Sequence, residues 1–404
     1  MPHSREDRLH LGVIGARGIG ALQGGIERYC SEFYRHLPAD RFKITIFVRR
    51  PSKGLEDCKN INLVRIPILK SSSLETPLYS MMAVLAAYAM GVKVIHVHGL
   101  SSCLPLPLAR LLGLRIIVRH MGAEYDRVKW NFLARRLLKL GEYFCARYAE
   151  SVVCLNSDIA DRFAAATGRR DSVVIPNGVS LPSDEAAEKL PANLAISPDS
   201  YALAVGRFVP EKNFHQLISA FLTARLPSSA KLVLAGEPDY PGPYARLIES
   251  LCQGHEDRIL RAGVVCGDEL VALYRHTRLF ILPSSHEGMS FSLLEAGISG
   301  ARLVVSDIPS NKEVCQNFGR LFPVDSEDGL RDALEQEWGR PRSQREVDAQ
   351  IAEFRRRFDW RQVASATGPL LAGPSRVLKQ SEVELVQPEF PQSADAKEPA
   401  KEGV

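Results

Sequence analysis

The sequence predicts an α/β protein built from two parallel-sheet domains that face each other across a cleft. Short apolar strands alternate with helical patterns in both halves of the 404-residue chain, and a polar, proline-containing stretch separates the halves. A chain of this length has room for two hydrophobic cores of ordinary size. We therefore expect two Rossmann-like domains.

Thirteen apolar runs predict the strands, and helical patterns fill the intervals between them. In the first half the runs begin at residues 9, 42, 62, 93, 115, 151 and 172, with the sequences LHLGVIGA, FKITIFVRR, NLVRIPI, KVIHVHG, RIIVRHM, SVVCLNS and SVVIPNG. In the second half they begin at residues 202, 231, 260, 278, 301 and 320, with the sequences ALAVGRF, KLVLAGE, LRAGVVC, RLFILPS, ARLVVSD and RLFPVD.

The domain boundary is predicted in the polar stretch LPSDEAAEKLPANLAISPDS. We assign residues 1–181 to an N-terminal domain, 182–199 to a linker and 200–357 to a C-terminal domain. The two halves repeat an architecture and not a sequence.

The end of the chain is predicted to leave the second domain. The stretch FRRRFDWRQVASATGPLLAG predicts a final helix in which Phe358, Trp360 and Val363 can dock on a neighbour. Residues 358–373 are therefore expected to pack back toward the N-terminal domain. Residues 374–404 are rich in Pro, Glu, Lys and Ser, and we expect disorder because they lack the apolar surface that would offset their ordering entropy.

Composition and charge argue against several classes of protein. The net charge of +4 is small for this length and no zinc-finger or RNA-binding signature is present, so we expect no nucleic-acid partner. A polar N-terminus argues against a secretory signal, and the spacing of the eight cysteines indicates neither a metal site nor a disulfide framework. Apolar stretches such as 79–90 are shorter than about 20 residues and are interpreted as buried helices. A cytoplasmic protein is predicted.

Two cations follow the first predicted strand of the second domain. Arg207 and Lys212 lie in AVGRFVPEKN, where the strand feeds a loop and then an amphipathic stretch. Exposure to solvent is the usual fate of such side chains. At the carboxyl edge of a parallel sheet, however, a planar guanidinium and an ammonium group suit the oxygens of a diphosphate. Their stabilisation grows as a departing diphosphate gains charge, so the pair is a candidate catalytic element.

Two glutamates follow a later strand of the same domain. Glu287 lies in the turn after RLFILPS, and Glu295 lies within the helix that begins near Ser290. The turn and the first part of the helix separate the two carboxylates by roughly 10 Å, which is too far for a pair that shares a proton. Ordinary roles at a helix terminus and on a helix surface are the alternative. Because the leucines before Glu295 are expected in the core, Glu295 is expected to face the cleft, and the two carboxylates can accept hydrogen bonds from hydroxyl groups of a sugar and a ribose.

A glycine-rich loop follows the first strand of the chain. Gly18, Gly20, Gly24 and Gly25 bracket this loop, and an amphipathic helix begins near Ile26. Glycines let backbone N–H groups approach a ligand closely, which makes the loop a candidate phosphate site. Such loops are common in wound α/β domains, so a structural role is equally open.

The N-terminal half also supports a different interpretation, an NADP-dependent reductase. Residues 15–20 imitate a dinucleotide-binding turn, and Arg49 and Arg50 end the second strand where a 2′-phosphate could sit. Tyr125 and Lys129 imitate a reductase pair. This interpretation assigns no role to the second domain, and the acidic ribose partner is missing.

Together these motifs resemble the retaining glycosyltransferases of the GT-B type, specifically the large family four. The family's glycine loop is matched by GARGIGALQGGIERYCSEF, its acceptor-side strands by HVHG and RHMGAEYDRVKWN, and its linker entrance by VIPNGV. Its phosphate motif is matched by GRFVPEKN and its two-glutamate motif by EGMSFSLLE. The resemblance covers nearly the whole chain. The chain also resembles a subgroup that builds bacterial surface polysaccharides and includes rhamnosyltransferases. This similarity lies in the short motifs RGI, GG and DRxKW.

The resemblance implies transfer of a sugar from a nucleotide diphosphate sugar to a saccharide or lipid-linked saccharide, with retention of anomeric configuration. It implies that Arg207 and Lys212 hold the donor diphosphate. Gly24 and Gly25 would face that diphosphate from the other domain. Glu295 would bind the nucleotide ribose.

The resemblance further implies that Glu287 positions the donor sugar. It would do so with backbone groups of Gly288, Met289, Ser290 and Phe291. Enzymes of this type need no metal, and the chain has no Asp-x-Asp motif at a strand end. No cofactor is therefore expected, and the nucleotide sugar is a substrate.

One position departs from the family pattern. A histidine commonly stands directly before the glycine of the HMGAEY segment, and here that position holds Met121, with His120 one residue upstream. Because adjacent side chains on a strand face opposite sides, the shift matters. His120 is kept as a candidate catalytic residue, with His98 at another strand end as its rival and a structural role as the alternative. Met121 also leaves open a non-catalytic protein that binds sugar nucleotides.

A basic amphipathic helix is predicted over residues 127–149. It carries the cations Lys129, Arg135, Arg136, Lys139 and Arg147. A solvated helix face is the ordinary interpretation. The sharper one is a peripheral contact with anionic lipid at the inner face of the cytoplasmic membrane, which would bring a lipid-linked acceptor to the cleft.

Overall fold

The structure is a computed structural model of the chain. It describes residues 8–20, 24–52, 54–55, 57–68, 75–126, 131–182, 189–238, 241–341 and 343–373. The predicted disordered tail, Lys129 and part of the predicted linker lie outside the described residues.

Seven parallel strands form the N-terminal sheet, in the order β3-β2-β1-β4-β5-β6-β7. The strands are β1 (Leu9–Ile14), β2 (Phe42–Val48), β3 (Ile61–Arg65), β4 (Val94–His98), β5 (Arg115–His120), β6 (Ser151–Cys154) and β7 (Val173–Val174). The helices are α1 (Gly25–Phe33), α2 (Glu75–Ala89), α3 (Leu106–Leu111), α4 (Phe132–Tyr148) and α5 (Ser157–Thr167). The strand order reverses between β1 and β4, and a crevice for a ligand is expected at that point.

Six parallel strands form the C-terminal sheet, in the order β10-β9-β8-β11-β12-β13. The strands are β8 (Tyr201–Val205), β9 (Lys231–Ala235), β10 (Ile259–Gly263), β11 (Leu279–Leu282), β12 (Leu303–Ser306) and β13 (Gly319–Phe322). The helices are α6 (Phe214–Thr223), α7 (Pro243–Cys252), α8 (Gly267–His276), α9 (Phe291–Ile298), α10 (Pro309–Cys315), α11 (Glu327–Gly339), α12 (Gln344–Phe358) and α13 (Trp360–Ala372). Here the order reverses between β8 and β11.

Helices cover both faces of the two sheets, which is why most central strands are continuous apolar runs. Helix α2 is an exception to the sequence-based prediction. Tyr79, Ala83 and Ala87 are buried in the core, but Met82 and Leu85 on the opposite side of the helix are exposed. The interpretation of residues 79–90 as a buried helix is therefore wrong for its outer face, because this helix is apolar on both sides and only one side meets the sheet.

The predicted final helix is divided in two at Asp359, whose carboxylate caps the N-terminus of α13. At this break the chain meets the N-terminal domain, and the Val179 N–H donates to the carbonyl of Phe358 at 2.7 Å. Trp360 then packs so tightly on Gly178 that a Cβ there would lie 2.3 Å from the indole ring. Helix α13 thus packs on the N-terminal domain, while α12 stays with the C-terminal one.

Two buried histidines of β4 are expected to make the N-terminal domain sensitive to acid. The Tyr34 hydroxyl lies 2.9 Å from His96 Nδ1 and 2.9 Å from His98 Nε2. Burial, assisted by Arg119, lowers the pKa of His96 to about 3, and burial with the neighbouring His96 lowers the pKa of His98 well below its usual value. Both rings are therefore neutral in the folded protein at pH 5.

We expect the free energy of unfolding to fall as pH falls below about 6.5, because the unfolded chain then takes up two protons that these buried rings do not. The slope contributed by the pair is about 2.7 kcal/mol per pH unit at its steepest. Urea unfolding at pH 7, 6 and 5 measures it. His96→Gln should remove half of this contribution, whereas His255→Gln, at an exposed position, should leave the slope unchanged. Equal stability at pH 7 and pH 5 would contradict the expectation.

Candidate active site

The loops that follow β8 and β11 meet where the strand order of the C-terminal sheet reverses. Lys212 lies in a 3₁₀ turn after β8, and its ammonium group donates to the Glu287 carboxylate at 2.6 Å. The backbones are joined as well, because the Ser285 N–H donates to the carbonyl of Glu211 at 2.9 Å. The side chains of Lys212 and Glu287 are only 18% and 13% exposed, so water screens their attraction weakly.

Asn213 holds the β8 loop in place. Its φ of +51° lies in the left-handed region, which asparagine tolerates better than most residues. Its amide donates to the carbonyl of Pro283 at 3.1 Å and to Asp325 Oδ1 at 3.0 Å. Arg207 lies half-buried at the start of the same loop. Both predicted cations therefore share one loop, and Lys212 points to the predicted sugar-positioning Glu287.

Residues 287–291 form the turn into α9, which we call the donor loop. Two asparagines of the N-terminal domain hold it: Asn156 donates to the Gly288 carbonyl at 2.7 Å, and Asn177 donates to the Met289 carbonyl at 3.2 Å. Neither asparagine was predicted as a site residue. Both lie shortly after a strand, β6 or β7. The criterion that identified the cations and glutamates, a position after the carboxyl end of a parallel strand, could therefore have identified them as well.

Glycines from both domains allow the closest approach across the cleft. A Cβ on Gly288 would lie 2.4 Å from the Met121 carbonyl oxygen, and a Cβ on Gly122 would lie 4.0 Å from the Gly288 Cα. A Cβ on Gly25 would lie 3.8 Å from both the Phe291 ring and the Met121 methyl group. Met121, in the position of the family's histidine, therefore packs between the two domains.

Replacing Gly288 by alanine is expected to lower any turnover by on the order of 100-fold, because the new Cβ meets a backbone oxygen and must displace the donor loop. The melting temperature should change little, since the loop is short. The rate and the melting temperature of the purified variant are the measurements. Gly339→Ala, where a Cβ meets nothing within 4 Å, is the matched control. Parental turnover in the Gly288 variant would show that turnover does not need the donor loop in its observed position.

Glu295 lies on α9 and faces the N-terminal domain. Its carboxylate accepts hydrogen bonds from the Arg28 guanidinium of α1 at 3.0 Å and from the Tyr274 hydroxyl at 3.1 Å. Burial, opposed by Arg28, raises the pKa of Glu295. The predicted ribose ligand thus lies across from the glycine loop, and Arg28 is a cleft residue that the sequence-based prediction missed. Ser290, just before α9, is buried and its hydroxyl pairs with that of Ser292 at 2.9 Å.

Gly24 and Gly25 lie at the N-terminus of α1. A Cβ on Gly24 would lie 2.0 Å from Glu27 Oε2, so any other residue there would have to displace this carboxylate. The Arg17 N–H and guanidinium donate to Glu27 Oε1 at 3.1 and 3.0 Å. Glu27 therefore places negative charge at the positive end of the α1 dipole. Gly25, in contrast, is exposed.

This arrangement disfavours the NADP-dependent reductase. A dinucleotide pyrophosphate would need the N-terminus of α1, where the Glu27 carboxylate lies. Arg49, the predicted 2′-phosphate ligand, donates to the Thr76 hydroxyl at 2.9 Å. Tyr125 donates to Glu142 at 3.0 Å, and burial raises the pKa of the tyrosine, so it is a poor proton donor to a hydride acceptor.

His120 ends β5 and is 2% exposed. Its Nδ1 accepts the Gly122 N–H at 3.2 Å, which places the ring proton on Nε2, where it is donated to Glu142 Oε1 at 3.1 Å. Both ring nitrogens are engaged, so in this structure His120 positions the turn and Glu142 and offers no free nitrogen for proton transfer. Its rival His98 is buried beside Gly15 at the end of β1, with its carbonyl 2.4 Å from where a Cβ on Gly15 would lie.

A cavity of about 130 Å³ lies between the domains beside the donor loop. Its walls include His120, Glu142, Asp158, Arg162, Ser285, Glu287 and Ser310. The predicted sugar-positioning carboxylate thus shares a polar cavity with side chains of the predicted acceptor domain. Such a lining suits the hydroxyl groups of a sugar ring. Among the described residues, no group of three or more His, Cys, Asp or Glu side chains is arranged to hold a metal ion.

Each half of the chain matches a family of known proteins. Residues 199–338 match the family described as Glycosyl transferases group 1, and residues 23–182 match Glycosyltransferase Family 4. Each half of the chain is therefore similar to a glycosyltransferase domain. With both halves accounted for in this way, the reductase interpretation is not favoured.

Curated relatives include bacterial sugar transferases. The chain is 32% identical over 190 residues to the serotype-specific mannosyltransferase WbdA of Escherichia coli, a match that covers 46% of this chain and 23% of WbdA. It is 23% identical over 351 residues to an Escherichia coli UDP-Gal:alpha-D-GlcNAc-diphosphoundecaprenol alpha-1,3-galactosyltransferase, covering 78% of this chain and 84% of that protein. The chain thus spans about a quarter of the length of WbdA and most of the galactosyltransferase.

Solved structures share the fold. The Anabaena protein Alr3699/HepE in complex with UDP-glucose superposes with a TM-score of 0.74 at 16% identity, and the match covers 90% of this chain and 100% of that one. At this identity the similarity is evidence for the fold alone. It confirms the predicted fold class, two Rossmann-like domains facing a cleft, or GT-B.

Proposed function

We propose that this glycosyltransferase moves a hexosyl group from a nucleotide diphosphate sugar to a hydroxyl group of a saccharide or lipid-linked saccharide. One observation carries the proposal: the Lys212–Glu287 pair lies where the C-terminal strand order reverses, in the loop that Arg207 begins, and Glu287 lines a polar interdomain cavity. A diphosphate needs cationic groups and a sugar ring needs hydrogen-bond acceptors, and a nucleotide sugar needs the two side by side.

In the proposed reaction, the bond between the anomeric carbon and the donor phosphate oxygen breaks while the acceptor oxygen bonds to that carbon. Arg207 and Lys212 offset the negative charge that collects on the departing diphosphate, which accelerates the step because this charge is greatest late in the reaction. The acceptor proton passes to the diphosphate on the same face of the sugar. Attack and departure on one face preserve the anomeric configuration.

Glu287 and Glu295 are each occupied by a protein donor before the substrate binds. Donor binding would draw Lys212 toward phosphate oxygens and leave Glu287 to accept hydroxyl groups of the transferred sugar. Glu295 would exchange Arg28 for the ribose hydroxyl groups. The backbone of Gly288 to Phe291, together with the exposed Gly25, would complete the contact with the donor.

The acceptor is assigned to the N-terminal side of the cavity. Asp158 and Arg162 line it there, and His120 holds Glu142 in its wall. We assign the product to bacterial surface polysaccharide, since one Escherichia coli relative is named a serotype-specific mannosyltransferase and another an O-antigen chain mannosyltransferase. The resemblance to rhamnosyltransferases makes a rhamnosyl donor one candidate. Metal independence and a cytoplasmic location, at the inner face of the membrane, belong to the same proposal.

The test is a screen of UDP-, GDP- and dTDP-sugars for thermal stabilisation, followed by release of the nucleoside diphosphate in the presence of saccharide acceptors and chelator. One nucleoside diphosphate should stabilise the protein by about 2.7 kcal/mol at 100 times its dissociation constant, and NADPH should not. Product NMR reports the anomeric configuration.

If a nucleotide sugar binds but neither nucleoside diphosphate release nor sugar transfer follows, the protein is better explained as a non-catalytic binder of sugar nucleotides. That is the alternative raised by Met121 in the position of the family's histidine. Stabilisation by NADPH alone would overturn the proposal. Loss of transfer on chelation would contradict metal independence and leave the rest intact.

A further inference from the structure

Arg119 is a fully buried arginine of the N-terminal domain. It is the neighbour of His120 on β5 and lies on the opposite face of the sheet, where its guanidinium carbon is 4.2 Å from the centre of the Tyr29 ring. The residue is 0% exposed, and among the described residues no carboxylate forms an ion pair with it. Burying a cation without a counter-charge costs stability. Packing alone therefore does not account for an arginine at this position.

The hydrogen bonds of Arg119 converge on the segment that follows β7. Its Nη2 donates to the carbonyl groups of Ile175 at 3.2 Å and Pro176 at 2.9 Å, and to Asn177 Oδ1 at 3.2 Å. These three residues are buried and lie just past β7, where the Ile175 N–H still donates to the last residue of β6. Buried carbonyl groups need donors. Arg119 supplies them from two strands away, since β6 lies between β5 and β7.

Arg119 also determines which end of the Asn177 amide faces the C-terminal domain. A guanidinium group can only donate hydrogen bonds, so the amide oxygen of Asn177 must face Arg119. The amide nitrogen is then left to donate to the Met289 carbonyl of the donor loop at 3.2 Å, and a carbonyl can only accept. The two contacts of Asn177 therefore agree on one orientation of its side chain.

Asn156, the other asparagine that holds the donor loop, is oriented in the same way by a different kind of group. Its Oδ1 accepts the Ile159 N–H at 2.8 Å, and its amide nitrogen donates to the Gly288 carbonyl at 2.7 Å. A backbone N–H orients Asn156, whereas a charged side chain orients Asn177. The orienting group of Asn177 can therefore be removed by substitution.

We propose that Arg119 is a positioning residue for the donor loop, which it acts on through Asn177. A hydrogen bond from a charged donor is about twice as strong as one between neutral groups. Water does not screen it at a fully buried position. Arg119 thus holds the Asn177 amide in the orientation that restrains the Met289 carbonyl.

The consequence for substrate binding rests on the proposed function. Residues 287–291 would contact the donor sugar, whereas Arg207, Lys212 and Glu295 would hold the nucleoside diphosphate. A loosened donor loop should therefore weaken binding of the whole nucleotide sugar by on the order of 10-fold and leave binding of the nucleoside diphosphate unchanged. A purely structural role of Arg119 would lower both or neither.

Hydrogen exchange of the backbone amides of residues 287–291 tests the inference without any substrate. In Arg119→Met, which keeps the length of the side chain and removes its donors, exchange in the donor loop should be faster by on the order of 10-fold. Arg119→Lys keeps a cation that can only donate, so its increase should be smaller. Calorimetry with a nucleotide sugar and with its nucleoside diphosphate measures the two affinities.

Asn177→Asp is a second variant that keeps Arg119 in place. The new carboxylate accepts from Arg119 and gives it the counter-charge that it lacks, but it has no N–H for the Met289 carbonyl. We therefore expect the melting temperature not to fall, while exchange in the donor loop rises as it does in Arg119→Met. This variant decides the matter if Arg119→Met does not fold.

Arg302→Met is the matched control. The Arg302 guanidinium also donates to three backbone carbonyl groups, those of Glu337, Arg340 and Pro341, at 2.9, 2.8 and 2.7 Å. It lies just before β12, at the opposite edge of the C-terminal sheet from the donor loop. The control should lose stability and keep the parental exchange in residues 287–291.

The inference is overturned if the donor loop exchanges at the parental rate in both Arg119→Met and Asn177→Asp, or if Arg302→Met loosens the loop equally. Either result would leave the proposed transfer reaction intact. Failure of the parent to bind any nucleotide sugar would instead overturn the proposed function, and the exchange measurement would still decide whether Arg119 positions the loop.

Discussion

Replacing Lys212 by alanine is expected to lower the rate of sugar transfer by about 100- to 1,000-fold, the usual effect of removing one donor to a developing anion. The change deletes a charge that the structure holds beside Glu287, in a loop fixed by Asn213. The free energy of unfolding should fall by about 1–3 kcal/mol, because the mostly buried Glu287 carboxylate loses the hydrogen bond and the charge of the Lys212 ammonium group. Nucleoside diphosphate release under saturating donor measures the rate.

Lys231→Ala is the matched control, since this lysine begins β9 at the opposite edge of the same sheet. It should retain the parental rate. Transfer at the parental rate by the Lys212 variant would remove the electrostatic basis of the proposed mechanism. A fall in melting temperature without a fall in rate would assign the ion pair to stability alone.

Replacing Glu287 by glutamine is expected to lower turnover by on the order of 100-fold while the shape of the side chain is kept. A carboxylate accepts charge-assisted hydrogen bonds from sugar hydroxyl groups, and an amide accepts weaker ones. Rates of transfer and of donor hydrolysis, measured separately, show whether the sugar is still positioned. Glu211→Gln, in the neighbouring loop, is the control and should be neutral, because among the described residues Glu211 joins the two loops through its backbone carbonyl, which the change keeps.

The double variant Lys212→Ala, Glu287→Gln then distinguishes a pair that works as a unit from two independent groups. A combined loss smaller than the product of the single losses is expected, because the two side chains contact each other at 2.6 Å. Full additivity would indicate that the contact has no part in the reaction.

Much of this site follows from order along the chain. In a parallel sheet the residues after each strand lie at one edge, so the apolar runs that predict β8 and β11 also bring Lys212 and Glu287 to the same place. Asn156 and Asn177 obey the same rule. They were missed because a lone asparagine after a strand also serves as an ordinary helix cap, as Asn156 does for α5.

Other features required contacts between distant residues. Arg28 and Glu295 are 267 positions apart, and nothing local to either predicts their pairing. The engagement of both nitrogens of His120 depends on Glu142, 22 residues later on another element. The break at Asp359 depends on the N-terminal domain, which supplies Val179 as a partner at that point.

The amino-acid order by itself determined the class of fold, the two domains and the strand ends at which charged groups collect, because periodicity and strand-end position are local properties of the chain. Only the tertiary structure decided which groups meet across the cleft, that Glu27 occupies the N-terminus of α1, and that one side of α2 faces outward. Those outcomes depend on how separate elements pack, and an apolar helix has the same sequence whether one face is covered or two.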